Sequence, residues 1–431
     1  HSTSRRQRQM CIRDSLLSMC AIAALASCSQ NDDVVPAGAG GEEARVVLKL
    51  EGDAVDTRAD VPATEEGAKI KDITVFFFNT TGFIVGTPKY IGVAADIAKP
   101  ITTTTDASQV VVIANLGSDE TTTGKKLAGV SSIDQLKTKV FSSVTTTTNP
   151  TTKHTINQTK DRLYMSGMGK VTIGSDGLTG TATVNLHFIS AKINKVAISW
   201  KADNTNQNYS TLSVFKTDKS KWFAIKQVYL MMSQTNSHLL PADAVIVPAG
   251  TVTWAGAFAP ATGLAFAGGL SWGSTPWVPV PTPTPLQTDT YLVKTDLAAS
   301  SAGNQVANVI ADNPWYLFEN PASSDKPTGL VVEVVWRSKD NAEYNSADVL
   351  TKYFTIYFGE KKAGSSPANQ PYLEPGKTYD ISLNLNGDFK PGGNGGGGSD
   401  DPSKPSVDAN ITVTVHPAKW TTTAEITKEF N

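Results

Sequence analysis

The side chains able to do chemistry are few, and their spacing argues against it. The five histidines, His1, His154, His187, His238 and His416, share no metal-ligand spacing with one another or with a carboxylate. No G-x-S-x-G segment and no phosphate loop occurs. The glycine run within residues 391–405, PGGNGGGGSDDPSKP, follows a polar loop and opens no helix, so it is no phosphate cradle. Glu42/Glu43 and Glu65/Glu66 are carboxylate pairs in loops, which lack the rigid scaffold that a catalytic dyad needs. The expectation is no catalytic residue, no metal, no cofactor and no enzyme. One other chemistry is open. Residues 244–285 are rich in Gly, Pro and Ala and carry Trp254, Trp272 and Trp277. Aromatic faces on such an insertion either stack on sugars or pack down as ordinary buried tryptophan.

The three cysteines, Cys11, Cys20 and Cys28, all lie at the front of the chain. Residues 15–29, SLLSMCAIAALASCS, form an apolar run of signal-peptide length behind Arg5, Arg6, Arg8 and Arg13. The run ends in Leu25-Ala26-Ser27-Cys28, which resembles a bacterial lipobox, where the cysteine is acylated and becomes the first mature residue. Residues 1–28 therefore read as a lipoprotein signal peptide, with 1–14 set apart because Asp14 sits where basic residues are expected. A lipidated Cys28 leaves no thiol for a disulfide or a Cys-based metal site, so stability must come from core and sheet pairing.

The elements follow from composition. The chain has 431 residues, 40% hydrophobic and 18% charged, with a formal net charge of −2. That supports sizeable cores in two or three domains, and no basic patch recommends nucleic acid. Threonine and valine are abundant and long helical patterns scarce, so the chain reads as mainly β. Residues 44–60, ARVVLKLEGDAVDTRAD, hold a strand of period two, with Val46, Leu48 and Leu50 on one face. Loose segments flank it, and Arg58 precedes the second, where a cut after Arg58 and before Ala59 would free the strand. Residues 407–415 mirror it, with Ile411, Val413 and Val415 on one face behind the glycine-rich linker. A detachable strand in front and a tethered strand behind suggest strand exchange between copies; the plainer reading is two ordinary edge strands. Between them, strands are expected at 69–79, 83–85, 109–116, 170–173, 181–198, 222–232, 315–318, 330–336, 353–358 and 379–385. Residues 132–141 read as the best helix, with Ser132 and Gln135 as a capping box and Ile133, Leu136 and Val140 on one face. Residues 145–158 read as a polar loop, and the polar stretch 201–220 as a domain boundary.

Taken together, these residues resemble the Bacteroidales fimbrillins, the type V pilins, and most closely the major subunit of the short (minor) fimbriae. The resemblance rests on LASC at Cys28, VVLKLEG…TRA, DITVFFFNTTGFI, VVVIANLG, YMSGMG and LHFISAKINKVAI, then PWYLFENP, TGLVVEVVW, LEPGKTYDISLNLNG and ITVTVHPAKW. It implies two tandem transthyretin-like β-sandwich domains with few short helices. Residues 29–58 would be tether and removable strand, 59–205 and 206–390 the two domains, and 391–431 linker and donor strands. It also implies an outer-membrane lipoprotein precursor that an arginine-specific protease cuts at the position of Arg58. A neighbouring copy's C-terminal strand would then fill the vacated groove and build a cell-surface fimbria with anchor and tip subunits, its host or bacterial ligand unknown. The donor is either Ile411, Val413 and Val415 or, if that strand folds back on its own domain, the later run with Trp420 and Ile426. Three branched side chains, fully buried, contribute about 1.5–3 kcal/mol each. The rival expectation is a lipid-anchored surface glycan-binding protein using residues 244–285.

Overall fold

The computed structural model describes residues 41–52, 70–142, 144–147, 153–156, 162–201, 208–231, 233–234, 236–240, 264–265, 270–272, 279–281, 293–301, 303–311, 314–318, 328–358, 373, 375–395, 398–400 and 410–416. The fold is mainly β, in β-sandwich layers with short helices, as the Thr/Val-rich composition predicts. In chain order the strands used below are β1 (Glu43–Gly52), β2 (Ile73–Phe78), β3 (Ile101–Thr104), β4 (Gln109–Ala114), β5 (Val140–Ser142), β6 (Met165–Ile173), β7 (Thr179–Phe188) and β8 (Ser190–Trp200). They continue with β9 (Phe223–Met231), β10 (Asn236–His238), β11 (Trp315–Phe318), β12 (Gly329–Arg337), β13 (Val349–Tyr357), β14 (Thr378–Leu385) and β15 (Asn410–His416). Helix α1 is Ile133–Lys137 and α2 is Leu212–Thr217.

The first half is a seven-stranded sheet in the order Lys89–Ile91, β2, β4, β6, β7, β1, β3. Its two parts share β6. Residues 165–170 of β6 pair with β4, whereas residues 165–166 and 171–173 pair with β7, leaving 167–170 unpaired on that side. Gly167 and Gly169 make the crossing possible. A Cβ there would stand 2.1 Å from the Asn185 carbonyl oxygen and 2.2 Å from that of Thr183, so only glycine lets the two backbones approach. One core lies inside the fold, where Val46, Leu48 and Leu50 meet Val75, Phe77 and Val110. A second lies on the outer face of β2, β4 and β6.

The second half is a two-sheet sandwich. One sheet runs Gln305–Val306, β8, β14, β15, with β11 also on β8; the other runs Val293–Thr295, β9, β12, β13. Ile193 and Ile198 of the first meet Ile225, Val332 and Phe354 of the second. Trp200 stacks on Tyr209 at 4.4 Å between ring centroids, and Phe389 stacks on Phe223 at 4.9 Å.

The expected helix over 132–141 is shorter than its apolar pattern. Ser132 caps it, accepting from the Gln135 N–H at 3.2 Å, but it ends at Lys137. Val140 and Phe141 join β5, which pairs antiparallel with β10. Tertiary pairing overrides the helical period there. The expected return at 83–85 turns back on the end of β2, with a bridge from Phe78 to Ile84. The Asn79 N–H donates to the Phe83 carbonyl at 2.9 Å and the Val85 N–H to that of Phe77 at 2.8 Å, while Lys89–Ile91 pairs with the start of β2. The polar loop expected over 145–158 contains a ribbon, Val144–Thr147 against Lys153–Ile156, in keeping with the strand preference of threonine.

The glycine run is not the free linker its composition suggests. Phe389 is buried, and a Cβ on Gly395 would lie 2.9 Å from the Trp336 indole, so the backbone runs flat on that ring. Ser399 bridges to Tyr353, and Lys352 pairs with Asp400 at 2.6 Å. These glycines serve close packing as well as reach.

Candidate functional site

β1 is a strand because its apolar residues alternate, and its burial follows the same period. Ala44, Val46, Leu48 and Leu50 are buried, whereas Arg45, Val47 and Lys49 are exposed. It occupies a slot with two walls. Along one edge it pairs in parallel with β7, from Arg45 opposite Thr179 to Gly52 opposite Leu186. Along the other it pairs antiparallel with β3, from Glu43 opposite Thr104 to Val46 opposite Ile101. Among the described residues β3 has no other strand partner, so β1 alone ties it to the sheet. Gly180 makes room for the buried face; a Cβ on it would stand 3.2 Å from Val46 Cγ2.

The chain resumes after residues 53–69 on an anchor that owes nothing to β1. The Lys71 N–H donates to Asn115 Oδ1 at 2.8 Å, and Asn115 Nδ2 donates to the Leu163 carbonyl at 2.9 Å. Asn115 holds φ at 68°, a left-handed conformation that asparagine tolerates. The buried Asp72 carboxylate accepts from the Gly117 N–H at 3.0 Å and faces Arg162 at 4.0 Å. So β2 is fixed at its start independently of the preceding strand. Sequence reasoning missed this anchor and the β3 wall. Asn-Leu-Gly at 115–117 is a turn signal that could have pointed to the anchor, while Ile-Thr-Thr-Thr at 101–104 is too short and polar to stand out.

At the other end, β15 pairs antiparallel with β14 of its own chain over seven residue pairs. The register sets Ile411 opposite Leu383, Val413 opposite Ile381 and Val415 opposite Tyr379, each of these partners being buried. Val46, Leu48 and Leu50 thus lie in one sheet and Ile411, Val413 and Val415 in another. Cys28, Arg58, Ala59, Trp420 and Ile426 lie outside the described residues, as do Trp254 and Trp277; Trp272 ends a short strand pairing with Pro279–Pro281. Among the described residues no cluster of three His, Cys, Asp or Glu could hold a metal, and no helix is long and apolar enough to cross a membrane.

Comparison with known proteins bears on both halves. A model described as major fimbrial subunit protein (FimA) matches residues 44–188, from within β1 to the end of β7. A second, the C-terminal domain of FimA-like major fimbrial subunit proteins, matches residues 279–420. A search of curated proteins finds no match. Among solved structures, a candidate cell adhesion protein from Bacteroides eggerthii shares the fold, with 21% identity, TM-score 0.55, and 90% of this chain and 98% of that one covered. Another from Parabacteroides distasonis has 18% identity and TM-score 0.47, covering 87% of this chain and 96% of that one. A fimbrilin from Porphyromonas gingivalis has 15% identity and TM-score 0.45, covering 87% and 97%. With fimbrial-subunit models matching well over half of its length, this chain belongs to the FimA-like major fimbrial subunit family, the Bacteroidales fimbrillins.

Proposed function

We propose that this chain is the precursor of a polymerising pilin, which loses β1 and receives a strand from a second copy in the slot between β7 and β3. The precursor is a lipoprotein anchored through Cys28 in the outer membrane. An arginine-specific protease cuts between Arg58 and Ala59, and the polymer serves adhesion. The observation that carries the reading is the placement of β1. It is the first strand among the described residues, its apolar face completes a core, and the segment that follows contains Arg58. A strand so placed can be replaced by any strand of the same alternation, through main-chain hydrogen bonds plus alternate side-chain pockets. β1 itself runs parallel to β7 and antiparallel to β3, so both edges of the slot offer backbone groups to a replacement. Because β15 is tied to β14, the donor is assigned to the run beyond it, which carries Trp420 and Ile426, while Ile411, Val413 and Val415 stay with their own domain.

The test is limited digestion of residues 29–431 with an arginine-specific protease, followed by an unheated denaturing gel and mass spectrometry of the new N-terminus. A ladder of multimers whose N-terminus is Ala59 is expected, and Arg58→Ala should give none. A ladder of equal strength from Arg58→Ala would sink the cut-site assignment.

A further inference from the structure

Strands β2, β4 and β6 of the first half are covered on both faces, and part of the second covering comes from the other half of the chain. Residues alternate along a strand, so β2 turns Val75 and Phe77 toward β1 and Phe76 and Phe78 the other way. On that other face lie Leu239, Leu240 and Phe318, exposed by no more than 1%. They arrive from the second half and are pinned there. β10 pairs with β5, the Leu239 N–H donates to the Lys139 carbonyl at 3.4 Å, and Ser166 Oγ donates to the Leu239 carbonyl. Phe318 ends β11, which pairs with β8. None of these bonds involves β1.

We propose that residues 236–240, with Phe318, brace the first half, keeping β2, β4 and β6 folded when the β1 side chains are missing from the opposite face. The inference deepens the assembly reading above and rests on β1 leaving. Three apolar side chains go with β1, and three from the second half stay planted on the same strands. Buried apolar area is the main term holding strands together, so a sheet stripped on one face survives on what covers the other. Strands β2, β4 and β6 thus stay ordered beneath the emptied core between loss of one strand and arrival of the next. This makes the second half a folding support for the first as well as the carrier of the donor.

The test uses the full chain and neither cuts nor assembles it, so its result stands apart from whether subunits polymerise. Leu48→Ser with Leu50→Ser mimics the emptied face, and Leu239→Ala with Leu240→Ala loosens the brace. Hydrogen exchange is read in β2, β4 and β6, with β9, β12 and β13 as the internal control. Each pair of substitutions alone should leave protection in β2, β4 and β6 within about ten-fold of the unaltered chain. All four together should lower it at least about a hundred-fold while the control strands keep theirs. If the fourfold variant keeps the protection of the Leu48→Ser/Leu50→Ser chain, the brace does not exist. If Leu239→Ala/Leu240→Ala alone strips protection with β1 intact, the leucines are ordinary core and the conditional role is wrong.

Discussion

Arg337 shows how a charged residue can be fully buried in a structural protein. Its guanidinium lies 4.1 Å from the centre of the Phe215 ring. Nη2 donates to the Phe215 carbonyl at 2.5 Å and to that of Asp218 at 3.3 Å, and Nε donates to Lys219 at 3.2 Å. These carbonyls close the C-terminal end of α2, where the helix leaves acceptors without partners and a cation is favoured. Burial lowers the Arg337 pKa, and the nearby Asp218 and Glu343 charges oppose that. Arg337→Leu is expected to destabilise the second half by about 3 kcal/mol, because buried acceptors lose their donors. Arg337→Lys should recover little, since an ammonium cannot reproduce the planar fork. Thermal unfolding followed by circular dichroism reads both. Neither change touches the slot that holds β1, so cutting in residues 53–69 should proceed as before.

The behaviour of single elements depends on whether their signal is local. The period of β1 is local, and its alternation alone placed Val46, Leu48 and Leu50 in a core. The cap of α1 is local, and Ser132 and Gln135 hold the geometry their spacing predicts. The end of α1 is not, because Val140 and Phe141 answer to residues 236–238, far along the chain. Nor is the role of glycine: composition marks 391–398 as loose chain, but only the neighbouring Trp336 and Phe354 explain why Gly395 and Gly398 carry no side chain. Gly167 and Gly169 in YMSGMG are the sharper case. They precede the strand expected at 170–173, yet they lie within β6, where it passes the backbone of β7. Gly169→Ala would drive a methyl into the Thr183 carbonyl, so β7 must shift, at about 3 kcal/mol or more. As β7 is one wall of the slot, the same change should speed loss of the cut β1. Comparing its dissociation rate after digestion in the two chains checks this, and equal rates would mean that the crossing does not govern the slot.

At the scale of the whole molecule, the first and last strands among the described residues belong to different sheets. β1 lies inside the first, and β15 lies on the rim of the second, paired with β14 alone among the described residues. A subunit that accepts at one place and donates from another makes a heterologous contact, and such contacts give open filaments when the rotation does not close. The proposed assembly is therefore directional, and each end can be blocked separately. A chain ending at Pro417 keeps β15 and its slot but lacks the run with Trp420 and Ile426. It should accept a donor after cutting and pass none on. An Arg58→Ala chain keeps β1 in place, so it should donate and never accept. Added in small amounts to the unaltered chain under digestion, each should shorten the polymers. Mixed with each other alone, they should stop at a dimer of one copy of each. Sedimentation of the mixtures decides the matter. Long polymers from the two altered chains together would show that the slot and the C-terminal run are not the two halves of the joint.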